Sequence, residues 1–100
     1  MRAFYRDVLG MREIDKPPAL RARGGVWFRA GGAEVHVGIV PGFVAPPKAH
    51  PAFAVDDVAA VAARVAAAGG SVTWDDAIPG TVRFHTLDPV GNRVELQQAD

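Results

Sequence analysis

A predicted β-hairpin constrains the fold of this chain more than any other stretch of its sequence. The hairpin runs from Val82 to Gln97, and its centre, Asp88-Pro89-Val90-Gly91, has the composition of a type I turn, with proline second and glycine last. If Gly91 is the left-handed residue of a three-residue loop, Asp88 pairs with Asn92. The loop therefore predicts the register of the two strands.

That register separates the hairpin into two faces. Counting outward from the turn, His85 lies opposite Glu95 and Arg83 lies opposite Gln97, all on one polar face. The alternate positions form an apolar face, with Val82, Phe84, Val94 and Leu96. One interpretation is a core face and a solvated face that carries a His–Glu pair. The other is that the polar face lines a cavity in which Glu95 binds a metal ion.

Composition limits the partners and the chemistry. One hundred residues predict a single domain, 1–100. The formal net charge is zero, so no basic surface is expected to bind nucleic acid or an anionic membrane. Because cysteine is absent, a metal site would need histidine, carboxylate or water ligands. No apolar run approaches the roughly 20 residues of a membrane span, and a cytoplasmic protein is the default expectation.

The predicted elements repeat along the chain. The first elements are a helix over 1–9 and strands over 11–14, 26–30 and 33–40. A strand over 50–55 follows, and then a helix that Asp56 or Asp57 caps and that ends near Ala68. A strand over 71–74 and the hairpin complete the chain. The order is αβββ in residues 1–40 and βαβββ in residues 50–98. If the halves are repeats, the first lacks a strand before Arg2, which agrees with its uncapped helix.

This order resembles the vicinal oxygen chelate superfamily, which contains glyoxalases, bleomycin-resistance proteins and extradiol dioxygenases. The resemblance rests on Phe4–Met11, His50–Asp57, Gly69-Gly70 and Asp88–Leu96. It implies an α+β fold of two βαβββ modules, the first without its N-terminal strand, whose curved mixed sheet surrounds a cavity. It also implies a small-molecule ligand and a homodimer.

The resemblance further implies a metal site and catalytic residues. In such proteins the first and last strands of each module supply the ligands to a divalent ion, of Fe, Mn, Ni, Zn or Co. The matching positions here are His50, Glu95 and His36, and the fourth position is not in this sequence. His85 resembles the position of a tyrosine acid/base in extradiol dioxygenases, so His85 and Glu95 are the candidates for proton transfer. The alternative for His50 is a hydrogen-bonding histidine of the pocket, and the alternative for His36 is a non-ligating pocket or surface histidine.

Four further residues are candidates for substrate binding: Trp27, Arg29, Arg83 and Arg93. The arginines suit an anionic substrate, and the tryptophan suits a planar one. Solvated arginines and a core tryptophan are the alternatives.

Three functions remain open from the sequence. The first is a metal-dependent lyase, isomerase or oxygenase that acts on a small oxygenated substrate. The second is a metal-free protein of the bleomycin-resistance type that sequesters a ligand. The third is a non-catalytic accessory domain that is stable as a dimer.

Overall fold

The computed structural model describes residues 1–100 as two compact units, Met1–Val44 and Ala45–Asp100. The first unit contains a helix followed by three strands, and the second has the order βαβββ. The predicted α+β class is thus confirmed, and the order of elements agrees with the prediction except for one short additional helix in the first unit. The single domain stays a prediction. None of the helices has the length and apolar character that crossing a membrane requires.

The first unit is a three-stranded antiparallel sheet in the order β1-β2-β3. Its elements are a π-helix (Ala3–Val8), β1 (Arg12–Ile14), α1 (Pro18–Arg21), β2 (Val26–Ala30) and β3 (Ala33–Val37). Phe28 is fully buried, and its ring lies 5.5 Å from that of Tyr5 on the helix. The helix α1 falls where the sequence predicted only a loop. Pro18 begins it, at a position where the missing N–H of proline removes no helical hydrogen bond.

A two-residue turn at Gly31-Gly32 joins β2 and β3, as predicted. Val26 pairs with Val37 and Trp27 pairs with His36, so Trp27 and His36 share a face. The strand β3 ends at Val37 rather than at residue 40. Because Val37 already pairs with the first residue of β2, later residues have no partner strand.

The second unit contains a four-stranded mixed sheet in the order β4-β7-β6-β5. Its elements are β4 (Ala52–Val55), α2 (Val58–Ala67), β5 (Thr73–Asp75), β6 (Arg83–Leu87) and β7 (Arg93–Gln98). The strand β4 runs parallel to β7, and the other neighbours are antiparallel. Since β7 lies between β4 and β6, side chains from both neighbours reach those of β7.

The helix α2 contacts the apolar side of β6 and β7. Its buried residues recur at helical spacing, and Val65 is almost fully buried. Asp57 caps the helix as predicted, because its Oδ1 accepts a hydrogen bond from the Ala60 N–H at 3.0 Å. Gln98 at the end of β7 accepts a second one from the Val58 N–H at 3.0 Å. The end of the sheet therefore contributes directly to the start of the helix.

The hairpin turn confirms the predicted pairing of Asp88 with Asn92. The Asp88 N–H donates to the Asn92 carbonyl at 2.9 Å, and Gly91 has a positive φ of 88°. The buried Asp88 carboxylate accepts from the N–H groups of Val90 and Asn92 at 3.0 and 2.8 Å. Val82, predicted on the apolar face, is about half exposed and lies just before β6.

Candidate metal centre

Three side chains of the second unit converge on one point. The Nε2 atoms of His50 and His85 lie 3.0 and 3.1 Å from Glu95 Oε1. One ligand atom from each residue lies within 4.8 Å of the others. His85 pairs with Glu95 across β6 and β7, as predicted, and His50 stands just before β4 on the other side of β7. The sheet order thus brings together residues that the sequence separates.

The orientation of His50 is set by the backbone. Its Nδ1 lies 2.7 Å from the carbonyl oxygen of Lys48, which can only accept, so Nδ1 carries a hydrogen and donates. In the neutral ring Nε2 then holds a lone pair, and this faces the Glu95 carboxylate. Two acceptors that face each other need a proton or a metal cation between them. A backbone carbonyl that fixes a histidine in this way is a common second partner of a metal ligand.

Glu95 is buried and carries a negative charge. Only 4% of its side chain is exposed. Burial by itself raises the pKa of Glu95, but hydrogen bonds from Gln97 and Arg83, and from His50 when its ring is protonated, outweigh it and lower that pKa to about 2. Gln97 donates to Oε2 at 2.7 Å, which leaves Oε1 for the histidines and Arg83. The carboxylate is therefore ionised and fixed in orientation.

Arg83 connects this carboxylate to a second one. Its NH1 donates to Glu95 Oε1 at 3.0 Å and its NH2 donates to Asp75 Oδ2 at 2.9 Å. Only 13% of the Arg83 side chain is exposed, and its Nε is buried without a hydrogen-bond partner. The pKa of Asp75 is lowered, first by the N–H of Ala77 and also by the charge of Arg83. Arg83 is thus no solvated surface arginine.

Sequence reasoning gave Asp75 and Gln97 no role in the site. Gln97 stood at the right position, two residues from Glu95 on the polar face of the hairpin. Asp75 pairs with Arg83 across β5 and β6. A salt bridge between them could have been predicted only by extending β5 one residue beyond its predicted end.

The residues present fit a divalent metal ion. Two imidazole nitrogens and a carboxylate oxygen suit first-row ions such as Zn, Mn, Fe, Co and Ni. Ligands at right angles around an ion with bonds of about 2.1 Å lie about 3 Å apart. The two separations at Glu95 Oε1, 3.0 and 3.1 Å, are compatible with that spacing and equally with hydrogen bonds. His85, predicted for proton transfer, thus joins His50 and Glu95 as a candidate ligand.

Three of the other predicted site residues, His36, Trp27 and Arg29, lie together in the first unit. The His36 ring stacks on Trp27, with centroids 3.5 Å apart and planes at 3°. His36 Nε2 lies 3.0 Å from Glu34 Oε1, and Arg29 donates to Glu34 Oε2 at 2.9 Å. The metal-ligand role of His36 and the substrate-binding roles of Trp27 and Arg29 stay predictions.

Arg93 lies on β7, two residues before Glu95 on the same face, and pairs across the hairpin with Leu87. Its predicted contact with substrate also stays a prediction.

Comparison with known proteins places this arrangement in a family. The sequence profile of the glyoxalase/bleomycin resistance protein/dioxygenase superfamily matches residues 1–96. This chain belongs to that superfamily, which confirms the resemblance read from its sequence.

Individual relatives show how much of each protein is shared. CFP32 of Mycobacterium tuberculosis, provisionally named a glyoxylase, is 41% identical over 92 residues, or 89% of this chain. The match covers 35% of CFP32, so the chain spans about a third of the length of that relative.

Two solved structures extend the comparison. A Bacillus anthracis protein, provisionally placed in the glyoxalase family, is 40% identical with a TM-score of 0.92, over 99% of this chain and 81% of its own. The antibiotic-binding protein TnmS3 from Streptomyces sp. CB03234 is 25% identical with a TM-score of 0.72. The match covers 99% of this chain and 84% of TnmS3.

Proposed function

We propose that this chain binds one divalent metal ion through His50, His85 and Glu95 and holds a small oxygenated ligand there for lyase or isomerase chemistry of the glyoxalase type. The observation that carries the proposal is the approach of both Nε2 atoms to one carboxylate oxygen, with His50 oriented by the Lys48 carbonyl. The glyoxalase-type names of CFP32 and the Bacillus anthracis protein agree with it.

Some residues around the cluster hold Glu95 in place for an ion, and others are small and leave space for a ligand. A bound ion would supply Lewis acidity toward the oxygen atoms of the ligand. Gln97 holds the other oxygen of the Glu95 carboxylate, Oε2, so little reorganisation of this side chain is needed on binding. Ala52 and Ala54 are small and exposed where β4 runs beside β7, which leaves room next to Glu95.

The same geometry argues against proton transfer by either Glu95 or His85. A carboxylate with a pKa near 2 is a weak base at neutral pH, so Glu95 suits a ligand better than a proton acceptor. His85 has one nitrogen, Nε2, at the cluster, and the proposal assigns that nitrogen to the metal. An ion held by His85 therefore excludes proton transfer through the same atom.

Metal stoichiometry tests the proposal. Protein purified without chelator should contain close to one first-row metal ion per chain, or should bind Mn²⁺ or Zn²⁺ at that ratio in isothermal titration calorimetry. Loss of binding in His50→Ala and His85→Ala, with folding retained by circular dichroism, would assign the ion to this cluster. Absence of metal after purification, together with no heat of binding for either ion, would refute it.

A second function, metal-free sequestration of a ligand, is favoured by Arg83. The guanidinium already neutralises Glu95, so the cluster satisfies its charges without an ion. TnmS3, an antibiotic-binding protein of similar fold, agrees with this candidate. A planar ligand that quenches tryptophan fluorescence equally well with and without EDTA would support it. Quenching that requires added metal would exclude it.

A further inference from the structure

Arg83 NH1 and the two histidine Nε2 atoms crowd one oxygen of Glu95. All three lie 3.0 to 3.1 Å from Oε1, whereas a carboxylate oxygen offers two lone pairs. An ion held by both histidines would take one lone pair of Glu95 Oε1 and would replace the two contacts from the imidazoles. The second lone pair of Oε1 would remain for Arg83. The guanidinium is therefore compatible with a loaded site and would lie beside a second cation.

The charges of the empty cluster depend on the same arginine. Glu95 and Asp75 are carboxylates, and Arg83 is the one permanent cation that contacts both. The three groups together carry a single negative charge. With a neutral residue in place of Arg83 they would carry two, and the one on the buried Glu95 is little screened by water.

Arg83 is anchored at its far end and cannot easily withdraw. Its NH2 is held by Asp75, and the other oxygen of Asp75 accepts from the Ala77 N–H at 2.8 Å. A hydrogen-bonded carboxylate of this kind resists rotation. The positive charge therefore stays close to Glu95 whether or not an ion is bound.

We propose that Arg83 sets the metal affinity of this site, because it stabilises the metal-free cluster and repels the incoming ion, with Asp75 offsetting part of that repulsion. The inference rests on the metal site of the proposed function. It assigns to Arg83 a positioning role that acts through Glu95, distinct from the substrate contact expected from the sequence.

The test uses Arg83→Gln, which keeps a donor but removes the charge. Arg23→Gln is the matched control, since Arg23 is exposed and lies in the first unit. The melting temperature in EDTA should fall in Arg83→Gln, because the buried Glu95 and the partly exposed Asp75 lose their shared cation. The dissociation constant for Mn²⁺, measured by calorimetry, should also fall, by at least about tenfold. The control should change neither quantity.

Lower stability together with tighter Mn²⁺ binding distinguishes this role from a merely structural one. If Arg83 only held the site together, loss of stability would be accompanied by equal or weaker Mn²⁺ binding, and that result would overturn the inference alone. If neither the wild type nor Arg83→Gln binds Mn²⁺ or Zn²⁺, both the inference and the proposed function fail. Binding by the variant but not by the wild type would support the inference in its strongest form.

A second variant covers the case in which Arg83→Gln does not fold. Asp75→Asn removes the anion that offsets the guanidinium and keeps the shape of the side chain. Its dissociation constant for Mn²⁺ should rise by about threefold or more. An unchanged or lower value would contradict the role assigned to Arg83.

Discussion

His50 and Glu95 face each other beside the parallel strands β4 and β7, with His50 Nε2 3.0 Å from Glu95 Oε1. The backbone fixes this relationship, because the Glu95 N–H donates to the carbonyl of Pro51 at 3.0 Å. The residue before Pro51 is thereby held next to the carboxylate. The strand pair thus positions His50, although His50 itself precedes β4 by two residues.

The charge of Glu95 should decide whether the site binds metal. Glu95→Gln keeps the shape of the side chain but replaces an anionic oxygen with a neutral amide. We expect Mn²⁺ affinity to fall by at least about 100-fold in calorimetry. Glu34→Gln is the matched control, because Glu34 also contacts one arginine and one histidine but is partly exposed. Similar losses in both variants would show that the site is elsewhere.

The lowered pKa of Glu95 predicts how stability depends on pH. The folded pKa of about 2 lies below the ordinary 4.5, so the unfolded chain takes up the proton first as the pH falls. The contribution of Glu95 is thus complete above about pH 4.5 and is lost progressively toward pH 2. The free energy of unfolding by urea should decrease more steeply over that interval in the wild type than in Glu95→Gln. Parallel curves for the two proteins would contradict the assignment.

Thr86 offers a stabilising substitution. Its side chain is buried opposite Val94, and its hydroxyl has no hydrogen-bond partner. Thr86→Val replaces the hydroxyl with a methyl group of similar size and removes an unsatisfied polar atom. The free energy of unfolding should rise by about 1 kcal/mol in urea denaturation. Thr73→Val at an exposed position should change it by less than about 0.5 kcal/mol. A loss of stability in Thr86→Val would mean that the hydroxyl is satisfied.

The hairpin loop should depend on Asp88. Its carboxylate accepts from two backbone N–H groups and from the side-chain amide of Asn92 at 2.8 Å. Asp88→Ala leaves these donors without their acceptor, and the free energy of unfolding should fall by about 2–3 kcal/mol. Asp76→Ala in an exposed loop provides the comparison and should be nearly neutral. Equal effects in the two variants would disprove the role of the carboxylate in the turn.

The features that were predictable from sequence are those that local chemistry determines. The residues Asp88-Pro89-Val90-Gly91 specify the loop, and the loop specifies that His85 faces Glu95. The cap of α2 by Asp57 is likewise a matter of neighbouring residues. The pairing of Trp27 with His36 follows from the two glycines of the turn between their strands.

The features that were not predictable depend on distant residues or on the backbone. The bridge from Asp75 to Arg83 requires the register of β5, a strand of three residues with no alternating pattern. The orientation of His50 comes from a carbonyl group, which every residue has and no sequence pattern reveals. The helix α1 is four residues long, too short to show helical periodicity.

The separation of 45 residues between His50 and Glu95 has a consequence for the order of events in the cell. The ribosome makes His50 well before β7, the strand that β4 must join, so the ligand pair cannot exist in a partly synthesised unit. An ion held by both His50 and Glu95, as proposed above, would then require a chain in which β4 has joined β7.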